Sequence, residues 1–81
     1  MLVQRTPIPD SELQDFEQAI RANGKDPAQF KAQMFATRLD AGTTFRRVHI
    51  VAPRAAAQYD ASSGGTWTES FARHLARGFF G

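Results

Sequence analysis

The stretch Phe30 to Ala52, FKAQMFATRLDAGTTFRRVHIVA, decides the fold. From Phe30 the apolar period is two: Phe30, Ala32, Met34 and Ala36 share one side, and Lys31, Gln33, Phe35, Thr37 and Leu39 the other. Asp40-Ala41-Gly42-Thr43 supplies turn residues, and the alternation resumes from Thr44 to Ala52. Here Val48, Ile50 and Ala52 oppose Phe45, Arg47, His49 and Val51. The pattern predicts a β-hairpin with one apolar face and one mixed face. Pro53-Arg54 ends its second strand, and Ala55 to Ala61, containing Tyr59, reads as a third.

Helical signals lie on both sides of this core. Before it, at about 100° per residue, Leu13, Phe16, Ala19 and Ile20 fall in one sector, with Gln14, Asp15, Gln18 and Arg21 opposite. Ser11 with Gln14 reads as a capping box, and Asn23-Gly24 as the stop. Asp26-Pro27-Ala28-Gln29 predicts one further helical turn, capped by Asp26 with Pro27 at its first position. After the strands, Ser62-Ser63-Gly64-Gly65 reads as a joint into a last helix, which Thr66 and Glu69 cap. Trp67, Phe71 and Leu75 form its stripe, Gly78 sits at a left-handed cap and Phe79 is placed for the accompanying contact.

The expected fold is therefore α+β, in the order α-β-β-β-α, a three-stranded antiparallel sheet with two helices packed on one face. Residues 1–9, punctuated by Pro7 and Pro9, read as an extended N-terminal arm, and residues 10–81 as a single small domain. Element order and size are similar to those of the double-stranded-RNA-binding fold. That family carries a lysine cluster at the start of its second helix, where Gly65-Thr66-Trp67-Thr68-Glu69-Ser70 has an acid and no lysine, so the resemblance carries no site residues.

Composition narrows the chemistry. Eighty-one residues allow one domain, and the absence of cysteine excludes disulfides, a thiolate nucleophile and cysteine-ligated metals. A core of this size is marginal on its own, which favours a stabilising partner or self-association. The formal charge is +2. Residues 1–26 carry Arg5, Arg21 and Lys25 against five acids, whereas residues 27–81 carry seven cations against Asp40, Asp60 and Glu69. No stretch has the length of a membrane span or the long apolar run of a secretory peptide, so a cytoplasmic protein without a membrane partner is expected.

The mixed sheet face is the candidate site: Phe35, Thr37, Phe45, Arg47, His49 and Val51. Apolar anchors beside arginine suit a protein interface, with a second copy of the chain as the simplest partner. The same residues could stack bases and meet phosphates, with Lys31, Arg46, Arg54, Arg73 and Arg77 as further anion contacts, and nucleic acid is therefore the second reading. Arg73 and Arg77, one turn apart beside Ser70, also suit a solvated helix C-terminus.

Other motifs are weaker. Ser62 to Thr66 lacks the lysine of a phosphate loop. His49 and His74 have no metal-ligand spacing, and His74 falls at the edge of the apolar stripe as a structural residue. Glu12 and Glu17 flank the apolar sector of the first helix as solubility and capping groups. With no nucleophile elbow or acid–base pair, the expectation is a non-enzymatic binding or adaptor module with no cofactor and no metal, an enzyme being a distant third.

Overall fold

A computed structural model describes residues 2–39, 42–62 and 64–81. The chain runs β1 (Leu2–Thr6), α1 (Asp10–Ala22), a 3-10 turn (Pro27–Gln29), β2 (Lys31–Arg38), β3 (Thr44–Val51), β4 (Ala56–Asp60), a second 3-10 turn (Gly64–Thr66) and α2 (Trp67–Ala76). The four strands form one antiparallel sheet in the order β1-β2-β3-β4.

The expected α+β class with two helices and an antiparallel sheet holds, but the sheet has four strands and not three. The correction lies in residues 2–6, expected as an arm. They pair with the outer edge of β2, Val3 opposite Thr37 and Arg5 opposite Phe35. That edge would otherwise present unpaired N–H and C=O groups, and five residues of alternating side chains satisfy it. Pro7 and Pro9 stop the strand because neither can donate to a ladder, and they turn the chain into α1.

The core lies between the sheet and the two helices. Phe30, Met34, Val48, Ile50 and Tyr59 cover one sheet face and meet Phe16 and Ile20 of α1 and Trp67, Phe71 and Leu75 of α2. Phe71 is its hub, with ring centroids 4.8 Å from Phe16, 5.9 Å from Phe30, 6.2 Å from Tyr59 and 5.3 Å from Phe80. Leu13, placed by periodicity in the apolar sector, is 37% exposed. Glu12 takes a buried position instead, where its carboxylate accepts a 2.7 Å hydrogen bond from Trp67 Nε1.

Helix ends explain part of the chain path. Gly24 and Gly78 have φ of 72° and 80°, and each closes its helix with a pair of backbone bonds. The amide of Gly78 donates to the Leu75 carbonyl and that of Phe79 to the His74 carbonyl, and Gly24 and Lys25 do the same to Arg21 and Ile20. Asp26 caps the 3-10 turn as expected, accepting from the Ala28 amide at 2.9 Å. Neither expected capping box forms. Helix α1 begins two residues earlier, at Asp10, with Pro9 in place of Ser11 as its cap and no side-chain bond there. At α2, Thr66 has helical backbone angles as part of the preceding 3-10 turn, and Thr68 Oγ1 donates to the Gly65 carbonyl at 2.7 Å. In the β2–β3 turn, Gly42 has φ 82° and the Leu39 amide donates to the Thr43 carbonyl at 2.9 Å. Asp40 and Ala41 of that turn, and Ser63 of the joint before α2, lie outside the described residues. No helix among the described residues is long and apolar enough to cross a membrane.

Candidate functional site

With both helices on one side of the sheet, the other side is open. Directly paired residues project to the same face, so the register maps it row by row. One row is Val3, Thr37 and Phe45; the next is Arg5, Phe35, Arg47 and Asp60; then Gln33, His49 and Gln58; and last Lys31, Val51 and Ala56.

The apolar content of this face is high for a surface. Val3 is 57% exposed, Phe45 50% and Val51 53%. Phe35 and His49 are half-buried against one another, their ring centroids 5.0 Å apart. Arg47 Nη1 donates to Gln58 Oε1 at 3.4 Å, which lays its guanidinium across the sheet toward β4. Val3, Phe35, Thr37, Phe45, Arg47, His49 and Gln58 line a shallow groove of about 590 Å³.

Asp60 is the acid of the sheet face. It accepts a 2.9 Å bond from the Ser62 amide, and that bond together with the charge of Arg47 holds its carboxyl below its ordinary value. Asp60 is therefore an anion at neutral pH, set at one end of a row that begins with Arg5.

All six residues expected on the face, Phe35, Thr37, Phe45, Arg47, His49 and Val51, are brought together there, with Lys31 at one end. The remaining cations are not. Arg46 has the opposite parity and sits on the helix side, its Nη1 3.9 Å from Met34 Sδ and its amide bonded to Ser62 Oγ. Arg54 lies in the turn after β3, packed beside Gly81. Arg73 and Arg77 are exposed at the end of α2, Arg73 donating to Ser70 Oγ at 3.1 Å. A single basic path through all of these positions does not assemble.

Sequence reasoning missed Val3, Arg5, Gln58 and Asp60. The first two went with the arm, since Leu2 to Thr6 carries no apolar–polar alternation; the last two needed the register of β4.

The histidines do different work. His49 belongs to the open face, whereas His74 Nδ1 is 2.7 Å from Tyr59 Oη and ties α2 to β4. Burial pushes the Tyr59 phenol up to about 12. With the phenol protonated, Tyr59 Oη and His74 Nδ1 share one hydrogen bond whose direction follows the imidazole tautomer. Among the described residues no group of three or more histidines and carboxylates could hold a metal ion. No protein-family model matches the chain, and no curated protein or solved structure matches it.

Proposed function

We propose that the chain is a non-enzymatic binding module that associates with a protein partner through its open sheet face. One observation carries this reading. Three large apolar side chains, Val3, Phe45 and Val51, stand half exposed or more on a face whose other side is fully occupied by the core. Together with half-buried Phe35 and His49, and with Arg47, Gln58 and Lys31 interspersed among them, they give the face the mixed apolar, aromatic and cationic composition of an interface. The cytoplasmic setting expected from the sequence belongs to the same proposal.

Light scattering over a concentration series, alone and with candidate partners, tests it. Phe45→Glu replaces an exposed aromatic of the face by a charge and is expected to abolish association while the helical and sheet circular dichroism is retained. Association that survives Phe45→Glu unchanged would count against the face.

Nucleic acid is the second reading, favoured by the row in which Arg5 and Arg47 flank Phe35. Rings between guanidinium groups suit stacked bases and their phosphates. Titration with a single-stranded oligonucleotide at low and physiological salt separates it: steeply salt-dependent binding, weakened by Phe45→Ala, is the expected result if nucleic acid is the partner.

A further inference from the structure

Resting on the reading that the open sheet face is where the chain binds, we propose that its occupant is a second copy of the chain. The two sheets stack about a two-fold axis that runs parallel to the strands, between β2 and β3. The row Arg5–Phe35–Arg47–Asp60 carries the argument. That rotation reverses the row and lays it on itself. Arg5 of each copy then meets the partner copy's acid at position 60, and Phe35 meets the guanidinium at position 47. The row is thus self-complementary, with two ion pairs at its ends and two cation–π contacts at its centre.

The neighbouring rows agree. Under the same rotation Phe45 lies over Thr37, His49 over Gln33, and the apolar face of Val51 over the aliphatic stem of Lys31. Stacking about an axis perpendicular to the strands and through this row sets Arg5 on Arg5, Arg47 on Arg47 and Asp60 on Asp60, which like charges reject, and an axis between the rows forms none of these ion pairs. Aligned sheets pack about 10 Å apart with strands crossing at about 30°, and the long side chain of Arg5 spans the offset this produces at the sheet edge.

The size of the contact fixes its strength. Two strands of eight residues and two of five, at about 3.3 Å per residue and about 4.8 Å apart, give a face of roughly 400 Å². A pair of faces buries on the order of 800 Å², in the size range of weak, transient contacts. The dimer is therefore expected to be weak, in the micromolar range, and to loosen with salt.

A charge swap followed by sedimentation equilibrium tests this. Arg5→Asp and Asp60→Arg each set like charges opposite one another and are expected to weaken dimerisation about tenfold or more, and the double variant restores it toward the wild type. Both positions are exposed, and thermal unfolding of each variant confirms that it is folded. Single variants that dissociate the dimer with no recovery in the double would overturn the proposed axis. A wild type that stays monomeric, yet binds an oligonucleotide with amide shifts on β2 and β3, would overturn the second copy as occupant and leave the binding face standing. A dimer indifferent to these variants and to Phe45→Glu would overturn both.

Discussion

The indole nitrogen of Trp67 donates to the Glu12 carboxylate over 2.7 Å, with both side chains buried. This bond joins the first turn of α1 to the first turn of α2, and Gly65 leaves room for it, since a Cβ there would lie 3.3 Å from Glu12 Cγ. Glu12→Ala strands a buried N–H and opens space beside it. A loss of about 2 kcal/mol is expected in urea unfolding, whereas Glu12→Gln keeps an acceptor and loses less.

The Tyr59–His74 bond gives a pH prediction. The phenol of Tyr59 is raised from 10.0 to about 12 by burial, so the folded state holds its proton longer than the unfolded chain. The stability this contributes is complete below pH 10 and is lost as pH rises toward 12. Tyr59→Phe removes this segment of the pH dependence. It also costs about 1 kcal/mol at neutral pH through the lost bond to His74, measurable by unfolding across the alkaline range.

At the end of α2, the cost of a side chain on Gly78 is purely conformational. Its φ is 80° and no heavy atom lies within 4 Å of a Cβ built there. Gly78→Ala is expected to destabilise by about 1 kcal/mol. It also loosens the turn that brings Phe80 onto Phe30 and Phe71, and the melting temperature checks it.

Asp60 runs the other way from Tyr59. Its carboxyl is held low by the Ser62 amide, so its contribution is present above the ordinary carboxylate value and is lost as pH falls through the depressed one. A carboxyl titration followed by NMR is expected to place Asp60 below the ordinary aspartate value, and Ser62→Pro, which removes the amide donor, is expected to bring it back up.

The hairpin and its two faces were legible because period-two alternation across Phe30 to Ala52 is local and strong. The ends at Asn23-Gly24 and Gly78 were equally plain, since a left-handed residue leaves a composition signature. What was not legible is what tertiary pairing decides. Strand β1 exists because β2 has a free edge, a fact found nowhere in residues 2–6 themselves. Glu12 is buried because Trp67 needs an acceptor and Gly65 makes room, so a helical wheel assigns the inward place to Leu13. Phe80, past the end of the last helix, is drawn in by the turn at Gly78. The self-complementary row needs Arg5 on β1, expected as an arm, and Asp60 on β4, a strand whose existence was legible but whose register was not, so the site emerged in part and its symmetry not at all.

The open face is tested most directly by the concentration dependence of its amide NMR signals. On dilution from millimolar to micromolar protein, the signals of Val3, Phe35, Phe45, Arg47 and Val51 are expected to move together along one binding curve while those of Phe16, Ile20 and Leu75 stay in place. Spectra that do not change with concentration, or changes confined to α1 and α2, would contradict association through this face.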